Sequence, residues 1–278
     1  KYYRKKNEGL SIARNFGVNK SSSELVVFID EDAWAYSNYL GTIIDFFNVN
    51  QMVNCVGGKI DLYNDENNFA KLIQDSIFSY SMKVNKDAVI GTNMAFRKSF
   101  LQDVGGFQPE FTYRGDESAL FAKAKNSIII GRCDTMKVKH FQPSNSEDWL
   151  KTRFENGYFG AAIDFLIKNS IRNILFNILI RLIFISVPYF ILFGLVLAFV
   201  SPIFATILLL GVFLYLSRKF ILSGYILRII KELRINRNDH TKIKDEFYLS
   251  FLIILGIYKE NVGYVKGCLA FSTQKWKK

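Results

Sequence analysis

Residues 25–32 read Leu25-Val26-Val27-Phe28-Ile29-Asp30-Glu31-Asp32, a continuous β-branched and aromatic run that stops abruptly at two carboxylates one residue apart. A run with no polar alternation suits a strand covered on both faces, the pattern of a parallel sheet inside an α/β domain. Ligands of open α/β sheets gather where such strands end. Asp30 and Asp32 therefore stand where a hard divalent cation would sit and bridge the phosphate oxygens of a nucleotide. Acidic residues also close strands as turn formers, so the triplet needs support from elsewhere in the chain.

Upstream of the strand lies Asn7-Glu8-Gly9-Leu10-Ser11-Ile12-Ala13-Arg14-Asn15-Phe16-Gly17. Downstream come Gly91-Thr92-Asn93-Met94-Ala95-Phe96-Arg97, then Val104-Gly105-Gly106-Phe107, then Arg114-Gly115-Asp116-Glu117-Ser118-Ala119-Leu120. In this order and spacing the set resembles family 2 glycosyltransferases of the GT-A fold, inverting enzymes that use nucleotide-activated sugars. The resemblance covers about the first half of the chain. It implies a mostly parallel sheet flanked by helices, a divalent cation (Mn²⁺ or Mg²⁺) and a nucleotide-diphosphate sugar as donor. Such enzymes open with a strand–helix–strand unit that carries the nucleobase aspartate. No such segment follows Lys1, so the resemblance implies a GT-A domain incomplete at its N-terminus.

Roles follow for particular residues. Asp32 is expected to bind the metal directly, and Asp30 to bind the metal or the donor ribose. The Asp116-Glu117 pair opens a helix after Arg114-Gly115, where the helix N-terminus favours ionised carboxylates, as a catalytic base requires. In the resembling family the base is the second member of an acidic pair, three residues before a leucine; Leu120 stands three after Glu117. The order here is Asp-Glu instead of the common Glu-Asp, which keeps Asp116 in contention. The resemblance also assigns His140, after a late strand, to the metal or diphosphate, a role imidazole suits, and Arg14 to the donor nucleotide. Asn93 beside Gly91 offers hydrogen bonds to sugar hydroxyls where glycine lets the backbone approach. The Q-x-x-R-W signature of processive synthases is absent from the neighbourhood of Glu147 to Arg153, which favours addition of a single sugar.

Composition divides the chain into a catalytic part, residues 1–170, and a membrane part, residues 171–278. Leu182 to Val200 is an unbroken apolar run close to the ~20 residues that span a bilayer core. Ser201-Pro202 breaks it, and Ile203 to Ser217 continues as a second, shorter candidate crossing before Arg218-Lys219. Ile171 to Arg181, with Arg172, Asn173, Asn177 and Arg181, reads as a helix along the membrane surface. Phe247 to Tyr258, bounded by Asp245-Glu246 and Lys259-Glu260, reads as an interfacial helix too short to cross. Eight Lys/Arg residues fall between Arg218 and Lys244. The positive-inside rule thus predicts a multi-pass cell-membrane protein with its catalytic domain cytoplasmic and Ser201-Pro202 outside.

The formal charge of +11 does not indicate nucleic acid: basic residues concentrate beside apolar segments and no nucleic-acid-binding motif spacing is present. Anionic lipid headgroups account for it more simply. Cys55, Cys133 and Cys268 are too scattered for a disulfide framework or zinc site, and His240 sits in the basic loop without a partner motif. Expected partners are a nucleotide sugar, a lipid-linked or glycan acceptor, and membrane lipid. A polyprenyl-phosphate sugar synthase would share the carboxylate roles, while a non-catalytic membrane scaffold or transporter subunit would leave the acidic pairs unexplained.

Overall fold

A computed structural model describes residues 1–84, 89–166, 170–197, 201–216, 224–237 and 243–272. Residues 1–166 form an α/β unit with helices α1 (Leu10–Lys20) and α2 (Tyr39–Val49) and strands β1 (Leu25–Ile29), β2 (Ala33–Ala35) and β3 (Cys55–Leu62). Helices α3 (Asn68–Ile73) and α4 (Ser79–Val84) follow, joined by a π-turn over Gln74–Phe78, then β4 (Asn93–Arg97) and α5 (Lys98–Asp103). Helix α6 (Asp116–Ala124), β5 (Ile130–His140) and α7 (Ser146–Leu166) complete it. The apolar run of residues 25–29 is β1 with the expected bounds.

The sheet order is β1-β4-β3-β5-β2. Contrary to the expected mostly parallel sheet, it is mixed: β1–β4, β3–β4 and β2–β5 are antiparallel, and only β3–β5 is parallel. Burial of Cys55, Val56, Met94, Ala95 and Phe96 explains their apolar composition. Two-sided burial reports coverage and says nothing of direction, which the connections decide. Strand β5 carries an irregularity: its pairing with β3 passes from Gly58–Cys133 to Lys59–Lys137. A side chain at Gly58 would collide with the Met136 carbonyl oxygen, so this shift in pairing requires glycine. Beyond it, β2 and the second halves of β3 and β5 make a small three-stranded extension that ends at His140.

The remaining helices are α8 (Ile171–Leu197), α9 (Pro202–Leu216), α10 (Tyr225–Asn236) and α11 (Ile243–Phe271). Among the described residues α8 is the one helix long and apolar enough to cross a membrane, over Ile171–Val196. It corrects the surface helix expected at 171–181, because that segment continues into the apolar run and packs on α11. Arg181 Nη1 donates to Asn261 Oδ1 at 2.8 Å and its guanidinium lies 3.9 Å from the Tyr264 ring centroid. With that charge satisfied by protein, the helix need not break. Pro202 opens α9, where its missing N–H costs nothing. At 1.5 Å per residue α9 is about 22 Å long, short of a ~30 Å hydrocarbon core.

Helix α11 also corrects an expectation: it runs 29 residues where a dozen-residue interfacial segment was expected. The charges read as its ends lie within it or near its start, and neighbours neutralise them, Arg153 on α7 pairing with Glu260 and Arg234 on α10 with Glu246. Backbone of α7 and α11 meets at Gly157 and Gly263, where any Cβ would strike a carbonyl of the other helix. Residues 1–170 and 171–278 are thus joined along this helix pair. Ala88, Val200, Ser217 to Lys219 and His240 lie outside the described residues.

Candidate active site

The site is assembled by tying α1 to the loop before α6. Leu10 N–H donates to Thr112 O at 2.7 Å, and the buried Ser11 hydroxyl donates to Phe111 O at 2.7 Å. Asn15 grips Phe107 both ways, its Nδ2 donating to the carbonyl and its Oδ1 accepting from the N–H, each at 2.8 Å. Segments 7–17 and 104–107, ninety residues apart in sequence, are therefore in contact.

That docking carries Arg14 into the floor of the cleft, 7% exposed. Its guanidinium pairs with Asp116, and Nη2 donates to Asp30 Oδ1 at 3.3 Å and to Gly91 O at 3.2 Å. Phe28 and Phe107 flank it with ring centroids at 5.7 and 5.6 Å. A Cβ on Gly91 would come 2.8 Å from Arg14 Nη2, so glycine is what admits the guanidinium. The charge of Arg14 lies between two carboxylates, Asp30 and Asp116.

Asp30 directly follows β1 and accepts a second hydrogen bond, 2.7 Å, from Thr92 Oγ1. Asp32 is half exposed, and its Oδ1 lies 3.2 Å from His140 Nε2. One ligand atom from each of Asp30, Asp32 and His140 lies within 4.8 Å of the others. Two carboxylates and an imidazole suit Mn²⁺ or Mg²⁺, and the Arg14 and Thr92 bonds orient Asp30 as outer partners of a metal ligand do. The donor set fits a divalent cation.

Opposite stands the acidic pair. Gly115 adopts a left-handed conformation, φ 79°, as the cap of α6, and Asp116 and Glu117 occupy its first turn. Asp116 is 1% exposed, and its Oδ1 has no hydrogen-bond partner among the described residues. Burial and the adjacent Asp116 charge push Glu117 up to about 7, with Arg14 acting weakly in the other direction. Asp30, Asp32, Arg14, Gly91, Thr92, Asp116, Glu117 and His140 all line one cleft of about 1580 Å³.

Asn93 is not brought to that cleft. It is 1% exposed and fully engaged: Nδ2 donates to Lys59 O at 2.9 Å and Met136 O at 3.0 Å, while Oδ1 accepts from Tyr39 Oη at 2.7 Å. Burial raises the Tyr39 phenol, keeping it a donor. Asn93 thus stitches the shift in pairing that aims the end of β5 at Asp32, and its neighbour Thr92 takes the cleft position. Thr92 was missed, as was Asn64. Asn64 is buried, and its side chain donates to Gln142 O at 3.0 Å and Ser144 Oγ at 3.1 Å and accepts from Gln142 N at 3.1 Å. Both polar residues stand just outside strands, and that position alone could have drawn attention to them.

Residues 1–105 match the family model described as Glycosyl transferase family 2. Glucosyl-dolichyl phosphate glucuronosyltransferase of Haloferax volcanii is 22% identical over 180 residues, covering 58% of this chain and 57% of that protein. UDP-Gal:alpha-D-GlcNAc-diphosphoundecaprenol beta-1,3-galactosyltransferase of Escherichia coli is 30% identical over 124 residues, covering 43% of this chain and 44% of that protein. The chain spans about half the length of these curated relatives. Among solved structures, the mannosyltransferase PcManGT from Pyrobaculum calidifontis in complex with GDP-Man and Mn²⁺ superposes with a TM-score of 0.40 at 14% identity, covering 94% of this chain and 64% of that one. So loose a superposition carries no argument.

Proposed function

We propose that the chain is a family 2 glycosyltransferase, as the match over residues 1–105 supports, and that it transfers a sugar, with inversion, from a nucleotide-diphosphate donor to a lipid-linked glycan acceptor on a GT-A-like scaffold. The observation that carries this reading is the single cleft in which Arg14 joins Asp30 of a three-ligand cation site to the buried Asp116, with Glu117 beside it. Its volume of about 1580 Å³ exceeds that of a typical single-ligand pocket, leaving room for donor and acceptor together. The names of two relatives, both acting on polyprenyl-linked sugars, support the acceptor class.

Asp32, Asp30 and His140 would hold a divalent cation, which when bound supplies positive charge for the departing nucleoside diphosphate. Glu117 takes the proton of the acceptor hydroxyl. That oxygen then attacks the anomeric carbon on the face opposite the diphosphate, forming one C–O bond as the other breaks. A carboxyl near 7 is well matched to this work at neutral pH. Asp116, paired with Arg14, lies beside Glu117 and its charge raises that neighbour. The need for such a base favours a sugar hydroxyl as nucleophile over the already anionic phosphate of a polyprenyl-phosphate sugar synthase.

Thermal melting with UDP or GDP, each with and without Mn²⁺, tests the reading. The chain is expected to be stabilised only when nucleotide and metal are both present. Asp32→Ala is expected to lose that response while melting within about 1–2 °C of wild type, because a half-exposed carboxylate contributes little to packing. An equal shift in excess EDTA would refute metal-dependent donor binding.

The same reading puts the cleft at the cytoplasmic face of a membrane that α8 crosses, with Ser201 on the far side. All three native cysteines are buried, so an introduced thiol reports cleanly. Ser201→Cys is expected to react with a membrane-impermeant maleimide in intact cells, and Asp134→Cys, on an exposed side chain, only after lysis. The opposite pattern would reverse the orientation.

A further inference from the structure

Three large aromatic side chains meet in the open where the three-stranded extension ends. Trp34 lies on β2 opposite Lys139; Tyr63 follows β3 and donates its N–H to His140 O at 3.0 Å; Phe141 follows β5. Trp34 stacks on Tyr63 with centroids 4.1 Å apart and planes 22° apart, and Tyr63 meets Phe141 at 4.6 Å. Their exposures are 45%, 41% and 38%. Packing among themselves fixes the rings while a large part of each faces outward. A contiguous exposed aromatic cluster, unlike a single surface ring, is informative.

The cluster continues the cleft. Phe141 and His140 both line the cleft wall, and Trp34 stands two residues beyond Asp32. Its margin is polar: Lys139 pairs with Trp34 in register, and the Tyr36 hydroxyl donates to Asp61 Oδ2 at 3.1 Å. The Trp34 indole N–H and the Tyr63 hydroxyl make no hydrogen bond to another described residue. Fixed flat rings with free donors at their edges match a pyranose, which has an apolar C–H face and a rim of hydroxyls. An oily lipid tail would use the ring faces and leave those donors unanswered.

We propose that Trp34, Tyr63 and Phe141 form the acceptor subsite, a ledge on which the sugar of a lipid-linked acceptor stacks so that its hydroxyl points into the cleft. This deepens the glycosyltransferase reading and rests on it.

The test is calorimetric titration of the full chain in detergent. The probes are short-chain prenyl diphosphates carrying GlcNAc, glucose or galactose, with the bare prenyl diphosphate as control. Wild type is expected to bind at least one sugar-bearing probe more tightly than the bare lipid. Trp34→Ala should weaken that probe by ~10-fold, the size of a lost aromatic stacking contact, and leave the bare lipid unchanged. Trp34→Tyr, which keeps a ring, should recover most of the affinity, separating loss of the ledge from local unfolding. UDP or GDP binding with Mn²⁺ should be the same in all variants.

Equal weakening of sugar-bearing and bare probes would overturn the proposal in favour of a lipid-contacting surface. A change from dimer to monomer on Trp34→Ala, seen by light scattering, would overturn it in favour of contact with a second copy. Wild type that binds no sugar-bearing probe above the control overturns it too. Failure of the ledge with nucleotide and metal binding intact leaves the catalytic reading standing, whereas loss of nucleotide and metal binding in wild type removes that reading itself.

Discussion

Glu117→Gln is expected to lower kcat/KM by about 10²- to 10⁴-fold, the usual contribution of a positioned base, and to abolish the pH dependence of what remains. In wild type the base works only when ionised. With Glu117 pushed up to about 7, the rate should climb about tenfold per pH unit below that value and level off above it. Stability should move the other way. Because the folded value lies above the ordinary 4.5, the native state holds a proton that the unfolded chain releases, and stability falls as pH rises from about 4.5 through about 7. Gln carries no charge and escapes this cost. The variant should therefore melt slightly above wild type at pH 8 and show no such gain at pH 5. A pH profile unchanged by the substitution would assign the base to Asp116.

Much of this site was legible because local rules govern it. A strand that ends in carboxylates and an acidic pair after a glycine at a helix start declare themselves in any chain, and Asp30, Asp32, Asp116 and Glu117 all line the cleft as read. What stayed hidden was partnership across distance. The pairing of Arg14 with Asp116 cannot be read from sequence, because it depends on Asn15 and Ser11 docking α1 against residues 107–112. Asn93 and Thr92 exchange roles because the residue entering β4 turns inward to bridge β3 and β5, leaving the one before it in the cleft. Sheet direction was misread since a doubly buried strand has the same composition either way. Helix α11 was cut short because its charges look like ends until Arg153 and Arg234 are found opposite them.

Arg14→Met should be the most damaging single substitution to both fold and chemistry. The methionine fills the slot between Phe28 and Phe107 but leaves Asp116, 1% exposed with one oxygen already lacking a donor, without its countercharge. Breaking a buried pair from one side costs about 3–5 kcal/mol, enough to consume much of the stability of an ordinary domain. The deficit should shrink as pH falls, since protonating the stranded carboxylate relieves it. Adding Asp116→Leu to Arg14→Met removes the stranded charge and should restore much of the melting temperature, though not transfer. Arg14→Lys keeps a charge without the fork that reaches Asp30, Asp116 and Gly91 together, and should fall between. Kinetics adds an independent reading: Arg14 lowers the Glu117 value, so in Arg14→Lys, if the ammonium sits farther from the pair, the acidic limb of the rate profile moves to higher pH. Should Arg14→Met melt like wild type at pH 7 and retain its profile, the arginine would be a bystander, and the joining of cation site to base through one guanidinium would have to be abandoned.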